Sequence, residues 1–379
     1  MQSLHFIKVL GTGAMGSVYL AEMVSGQNFR RQIAVKVIKS EEASSSPFIT
    51  RMRDEARLLG LLQDDEILQV INLVNLQGRD AILMEYVEGE DLSRVGSSGL
   101  PLSPKAITTI GAITAGVLHR AHTAVDPRTR LPLNVVHRDI KPANIMITRN
   151  GGVKVCDFGV AKARFEGQES HTSPDQILGT LHYMSPEYLR TGEISPAADI
   201  LALGISLIEV LSGKKFGRPK LKRSDHEAAV AKLLQVARFP PQLQAILKQC
   251  LEWNPNSRPT AARLEDELYN IAESLPGLSL RRWASQTLPQ LEHYQDPSSD
   301  SLQLIGQTIT LSSQAFILDP NSTLDTPASQ SSITHTQAND AFKVTRQEIH
   351  TPSKKYAILL GAGVGFVLFL LTLPVYFIG

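Results

Sequence analysis

Asp139, Asn144 and Asp157 are the residues of this chain whose types and spacing could do chemistry. They stand in VVHRDIKPANIMI, residues 135–147, and in VKVCDFGVAK, residues 153–162. A carboxylate such as Asp139 can receive an incoming hydroxyl, and Asn144 and Asp157 are hard oxygen donors of the kind Mg²⁺ prefers. The set suits phosphoryl transfer. NIMIT, the Asn150-Gly151-Gly152 turn and VKVC read as a hairpin, which would bring Asn144 and Asp157 to one place.

A second set lies near the N-terminus. Gly11, Gly13 and Gly16 of LGTGAMGSVYLAE form a G-x-G-x-x-G frame, a spacing that lets a backbone approach phosphate oxygens in both dinucleotide-binding folds and protein kinases. A dinucleotide site needs a helix directly after the loop and an acidic residue about 20 positions on. Here SVYLAEM alternates like a strand and the later region reads FRRQIAVKV, so that reading fails. Lys36 falls in the middle of a strand pattern, where a charge needs a partner such as a phosphate pair. Glu55, in the helical RMRDEARLLGLL, is its natural counter-charge, while Asp54 and Arg57 read as a solvated helix face.

With GTGAMGSV, AVK, HRDIKPAN, DFG and SPE (185–187) in hand, the chain resembles the protein kinase family, specifically the eukaryotic-like Ser/Thr kinases that include bacterial members. The resemblance covers about residues 4–275 and extends to the helix aspartate Asp199 and to Arg258 in NPNSRPTA, which in the family pairs with the glutamate here numbered Glu187. It implies that Lys36, held by Glu55, binds the α and β phosphates of ATP beneath Gly11, Gly13 and Gly16. Asp139 would orient and deprotonate the acceptor hydroxyl, Lys141 would lie near the transferred phosphoryl, and Asn144 and Asp157 would hold Mg²⁺, with Mn²⁺ as an alternative. Leu10, Val18, Ala34, Met84 and Met146 would sandwich the adenine, backbone groups of Glu85 and Val87 would bond its edge, and Asp91 would reach the ribose. Lys141 and Thr180 resemble the Ser/Thr rather than the tyrosine kinases. Arg138 implies control by phosphorylation in the activation segment, with Thr172 favoured over Ser170 and Ser173. Two stretches depart from the pattern: ADILALG lacks the aromatic and serine common after the aspartate, and HTAVDPRTRLPLNVVHRD is a long approach to the catalytic loop.

These residues need a two-lobed α+β scaffold, β-rich first and mostly helical after. FIKVLG, SVYLAEM, QIAVKVI, VINLVNLQG and AILMEYV read as strands, with FITRMRDEARLLGLL as a helix among them. KAITTIGAITAGVLHRAH, ADILALGISLIEVLSG and PQLQAILKQCLEW read as helices. The expected organisation is an N-lobe at about 4–84, a hinge at 85–90 and a C-lobe at 91–275. Residues 276–355 are rich in Ser, Thr, Gln, Asn and Pro and are expected to form a disordered tether. Within them LQLIGQTITL is apolar enough for a transient strand or docking motif. His119 and His122 form an H-x-x-H on a helical pattern, but with no further ligand set they read as packed or hydrogen-bonded side chains.

The chain has 379 residues with 38 basic and 37 acidic side chains, a balance that argues against a nucleic-acid partner. Cys156 and Cys250 lie outside any metal or redox spacing and suit a reducing compartment. The N-terminus lacks the basic start and apolar run of a signal peptide. Residues 356–378 are uncharged and long enough as a helix for a single pass through a bilayer. Lys354 and Lys355 just before them place the catalytic region in the cytoplasm by the positive-inside tendency, and so little follows that no ligand-binding domain is expected beyond the membrane. Gly361 and Gly365 form a G-x-x-x-G that could pair two copies in the membrane. The leading expectation is a membrane-anchored kinase acting on Ser/Thr of proteins, itself included. A catalytically weak nucleotide-binding scaffold is the alternative, and a small-molecule kinase is disfavoured by the SPE segment.

Overall fold

The computed structural model describes residues 2–13, 16–26, 29–39, 61–62, 64–158, 182–236, 239–291 and 304–311. They belong to one compact unit, residues 1–322, and a second unit, 323–379, holds none of them.

The alternation seen in the N-terminal third does form strands: β1 (Gln2–Gly13), β2 (Gly16–Ser25), β3 (Phe29–Ile38), β4 (Val70–Leu76) and β5 (Arg79–Glu85). They make an antiparallel sheet that β9 (Thr308–Leu311) joins from far along the chain, in the order β4-β5-β3-β2-β1-β9. Successive side chains of a strand face opposite ways, and β3 uses both faces. Ile33, Val35 and Val37 enter one apolar layer with Leu4, Phe6 and Tyr19. Ala34 and Ile38 enter another with Leu73, Ile82 and Met84. Lys36 falls between Ala34 and Ile38 on that second face, so the strand period aims the lysine where the glycine loop opens.

Of the helix expected over residues 48–62, only 61 and 62 are described, and they are helical. Beyond the hinge come β6 (Gly89–Asp91), α1 (Leu92–Ser97) and α2 (Pro104–His122). Ser103 starts α2 by accepting a hydrogen bond from the Ala106 amide, with Pro104 in the first turn where a missing N–H costs nothing. The predicted hairpin is present as β7 (Ile145–Thr148) and β8 (Val153–Val155), pairing Ile145 with Val155, and β6 completes its three-stranded sheet.

The remaining helices are α3 (Pro186–Thr191), α4 (Pro196–Ser212), α5 (Arg223–Val236), α6 (Pro241–Cys250), α7 (Ala261–Ser274) and α8 (Leu280–Thr287). α4 is buried continuously from Asp199 to Val210. A helix apolar on every side is the centre of its lobe, and α2 packs against it and against α7.

Part of the stretch expected to be a disordered tether is folded. α8 and the single 3₁₀ turn after it (Leu288–Gln290) bury Leu280, Trp283, Ala284 and Leu288 in the C-lobe core, and the Trp283 indole N–H donates to the Pro101 carbonyl at 3.2 Å. Average composition hid a local helical spacing of four apolar residues. LQLIGQTITL supplies β9. The boundary expected at residue 275 therefore moves outward, to Leu291 and then to β9. The membrane span expected at 356–378 lies outside the described residues, among which no helix is long and apolar enough to cross a membrane.

Candidate active site

The catalytic loop is built around one buried carboxylate that is not itself in it. Asp199, in the first turn of α4, is almost fully enclosed. Its Oδ2 accepts from the His137 amide at 2.8 Å and its Oδ1 from the Arg138 amide at 2.9 Å. His122 Nε2 lies 2.9 Å from Oδ2. Arg138 has φ 66°, a left-handed conformation that disfavours non-glycine residues by about 1–2 kcal/mol. Two charge-assisted bonds to its own and its neighbour's amide offset that cost. His122, read from sequence as a packed or hydrogen-bonded histidine, is hydrogen-bonded and braces the loop, its partner Asp199 being 77 residues away.

His137 is fully buried against Phe158, ring centroids 4.3 Å apart. The Asp139 amide points at its Nδ1 at 3.2 Å, so that nitrogen must carry the lone pair and Nε2–H donates to the Cys156 carbonyl at 3.1 Å. The neutral ring thus ties the catalytic loop to the end of β8. Burial pushes its pKa down, against the pull of Asp199 and Asp139. A histidine depressed in the folded state contributes stability above its unfolded value, near 6.5, which is lost as pH falls through the folded value. His226, also depressed by burial, adds in the same direction. Thermal unfolding should therefore show a lower Tm at pH 5 than at pH 7, with a shallower slope for His137→Asn.

The predicted catalytic residues are brought together. Asp139 is buried, and its Oδ2 accepts from Lys141 Nζ at 2.8 Å and from Asn144 Nδ2 at 3.0 Å. Asn144 Nδ2 also donates to the Asp139 carbonyl at 2.8 Å. With its amide nitrogen committed to Asp139, Asn144 has its amide oxygen as the donor for a cation. The Asn144 carbonyl in turn accepts from the Cys156 amide at 2.8 Å, closing the base of the hairpin beside Asp157. Asp157 is also left-handed, φ 54°, and meets Lys36 Nζ at 2.9 and 3.1 Å. Lys36, the largest influence on it, holds the Asp157 carboxyl below the usual carboxylate range. That ion pair joins a strand of the N-lobe to the loop after β8. Glu55, the other expected partner of Lys36, lies outside the described residues, as do Thr180, Ser170, Thr172 and Ser173.

The residues expected around the adenine fall in two groups, one on the sheet of the N-lobe and one on β6 and β7. Ala34 and Met84 are buried in the cluster on the Lys36 face, with Leu10 and Val18 packed against it. Met146 is half-buried on β7, paired with Asp91 of β6. Glu85 ends β5 and Val87 follows in the hinge. The Glu85 side chain is engaged by Lys154 at 2.6 Å, which leaves its role to the backbone. Asp91 caps α1, its Oδ1 accepting from the Ser93 and Arg94 amides at 2.9 and 3.0 Å. Those bonds were missed in the sequence and are what orient it. Both cysteines are buried, and burial pushes the Cys250 thiol up to about 12, so neither is a nucleophile.

The glycines of the loop are not equivalent. Gly16 pairs with Ile38 of β3 at φ 151°, and a Cβ there would stand 1.9 Å from the Val37 carbonyl oxygen. Among the described residues, a Cβ on Gly13 would meet only the Gly16 carbonyl oxygen at 3.9 Å, and one on Gly11 nothing within 4 Å. Protein packing requires Gly16, whereas Gly13 is free for whatever lies beneath the loop. Gly16→Ala should lower Tm by several degrees, whereas Gly13→Val should keep Tm within about 2 °C and weaken nucleotide binding, as differential scanning fluorimetry with and without ATP would read.

A lysine on the N-lobe sheet, a carboxylate with its two donors below and a glycine loop beside them make the arrangement of a protein kinase domain. The chain belongs to the protein kinase family: the family model described as protein kinase domain matches residues 4–269. It is 35% identical to the tyrosine-protein kinase MasK of Myxococcus xanthus over 72% of its length and 43% of that protein's. It is 32% identical to the serine/threonine-protein kinase PrkC of Bacillus subtilis over 78% of its length and 39% of that protein's. The chain thus spans about two fifths of the curated relatives it matches. Among solved structures, the kinase domain of Mycobacterium tuberculosis PknI superposes with a TM-score of 0.53 at 25% identity, covering 71% of this chain and 96% of that one.

Proposed function

We propose that this chain transfers the γ-phosphoryl group of ATP to Ser and Thr hydroxyls of proteins, its own activation segment among them. The observation that carries the proposal is the convergence on Asp139. Lys141 and Asn144 fix its carboxylate, and the Lys36–Asp157 pair stands across the cleft from residues 121 positions apart. In this reading Asp139 orients the acceptor hydroxyl and receives its proton, Lys141 faces the transferred phosphoryl, and Lys36 exchanges part of its contact with Asp157 for phosphate oxygens. The leading source of rate is positioning and fixed charge rather than covalent chemistry.

Asn144 and Asp157 supply a neutral and an anionic hard oxygen, which fits Mg²⁺. Among the described residues no cluster of three acidic, His or Cys side chains forms a closed cage, and a Mg²⁺ site of this kind draws its other ligands from phosphate and water. The ion would neutralise phosphate charge, and Mn²⁺ could serve in its place.

The Ser/Thr assignment rests on Lys141 and on the similarity to PrkC. The similarity to MasK favours tyrosine as the second reading. Phosphoamino-acid analysis after labelling with ATP decides between them: phosphoserine and phosphothreonine support the proposal, and phosphotyrosine alone overturns it. A folded protein that binds ATP but transfers nothing with either metal would instead be a nucleotide-binding scaffold.

Residues 356–378 would anchor the protein in a membrane with the kinase domain on the cytoplasmic side, and the glycines at 361 and 365 would bring two copies together for phosphorylation in trans. Sedimentation with membranes should be lost when the chain is cut after residue 322. Unchanged self-association after both glycines become Ile would remove the dimer from the proposal.

A further inference from the structure

The sheet of the N-lobe is not completed by the residues the kinase family model covers. That match ends at residue 269, and the outer edge of β1 is filled by β9. Gln2 pairs with Leu311, Ser3 with Thr310, Leu4 with Ile309 and His5 with Thr308. The ladder continues through a turn, with the Phe6 amide donating to the Gln307 carbonyl at 3.0 Å and the Gly306 amide to the Phe6 carbonyl at 2.9 Å. His5 Nδ1 lies 3.0 Å from the Thr308 hydroxyl on the exposed side.

The buried side of this strand is as specific as its backbone. Leu304, Ile309 and Leu311 are at most 8% exposed and enter the apolar layer of Leu4, Phe6, Tyr19, Val35 and Leu83. β9 also touches β4 at the opposite end of the strand order, so the sheet curls and its two ends meet over this layer. Without β9, β1 would be an open edge above exposed leucine and phenylalanine side chains, a liability for any sheet.

The same tail is fastened to the other lobe. α8 is seated on the C-lobe through Trp283 and Leu280, and its backbone lies so close to the β7–β8 turn that a Cβ on Gly151 would stand 2.6 Å from Arg281 Cα. Only residues 292–303 separate the two attachments. β1, meanwhile, is one strand, with register shifts against β2 between Phe6 and Lys8 and between Val9 and Gly11, whose first residues hold β9 and whose last four, Leu10 to Gly13, belong to the glycine loop.

We propose that α8 and β9 fasten the segment after the kinase match to the two lobes, and that docking of β9 on β1 positions the glycine loop and so raises nucleotide affinity. The catalytic unit then ends at residue 311, and whatever pulls on the chain beyond it can loosen the ATP site by peeling β9 away. The recognition is β-augmentation by the protein's own segment, main-chain bonds supplying the hold and the alternate positions 309 and 311 the specificity. The effect on catalysis rests on the kinase reading, whereas docking and nucleotide binding do not.

The test compares the full chain with two variants. Ile309→Asp places a charge in the apolar layer. Gly306→Pro leaves the core untouched, removes the amide that bonds Phe6 and is incompatible with the φ of 79° at that position. Hydrogen exchange at the Phe6 amide should accelerate at least tenfold in both. The Kd for a fluorescent ATP analogue should rise about five- to tenfold, in the range usual for coupled sites, with phosphoryl transfer at saturating ATP within twofold of the parent. A synthetic peptide of residues 302–313 added to Gly306→Pro should restore both exchange protection and affinity. Unchanged Phe6 exchange would show that the strand does not dock in solution. Faster exchange with unchanged nucleotide affinity would show that it docks without acting on the loop, and either result overturns the proposal. A protein that keeps these couplings yet transfers no phosphate would refute the kinase reading alone.

Discussion

Asp157→Asn is expected to lower phosphoryl transfer by about 10²–10³-fold while leaving the fold in place, the usual loss when one preorganised charge is removed from a site. Asparagine is chosen because it tolerates the left-handed backbone at φ 54°, where alanine would add strain unrelated to charge. The native carboxylate is anionic at neutral pH, since Lys36 holds its pKa below the ordinary range. In the variant, Lys36 loses a full countercharge at 2.9 Å, and the oxygen pair proposed to hold Mg²⁺ loses its anion. Because 43% of the Asp157 side chain faces the open cleft, water can solvate the lysine, and the stability cost should stay below about 1 kcal/mol. Steady-state kinetics with a protein acceptor, alongside a thermal melt, checks both halves. A variant within tenfold of the parent rate would remove Asp157 from the transfer machinery.

Arg258→Ala is expected to be the most destabilising single change in the C-lobe. The guanidinium is wholly enclosed, with forked bonds to Glu187 at 2.7 and 2.9 Å and further bonds to the carbonyls of Glu252 and Ala197. Burial would raise the Glu187 pKa, yet the Arg258 bonds outweigh it and the net shift is downward. Removing one partner strands the other as an uncompensated buried charge, at a cost of about 3–5 kcal/mol. Arg258→Lys should be nearly as damaging, because an ammonium cannot reproduce the fork. Urea unfolding curves of the parent and both variants provide the measurement. The pair also fixes α3, which follows the activation segment, so surviving protein should be less active than its folded fraction implies.

What was legible in the sequence follows from how local each signal is. Strand β3 carries its own period, which marked Lys36 as a charge set in a strand, and α2 and α4 were legible as helices from their apolar patterns. The H-R-D-x-K-x-x-N and D-F-G groups stand just before and just after one hairpin, whose turn residues announced it. Contacts that depend on chain return were not legible. Nothing around His122 points to Asp199, and nothing around Asp91 in isolation says that its oxygen is taken by the start of α1. The tail was misjudged for a related reason. Its average composition is polar, and four apolar side chains at helical spacing, with Leu304 before β9 and Ile309 and Leu311 in it, fold only because the C-lobe core and the β1 edge are there to receive them.

In the proposed function Asp139 is the group that receives the acceptor proton. The measurement is the rate of phosphate transfer from labelled ATP to a protein acceptor for the parent and for Asp139→Asn, at saturating nucleotide and with binding of ATP confirmed for both. A loss of about 10²–10⁴-fold is predicted, the range for a removed general base, with nucleotide affinity changed less than threefold. Transfer by the variant within fivefold of the parent would contradict the assignment.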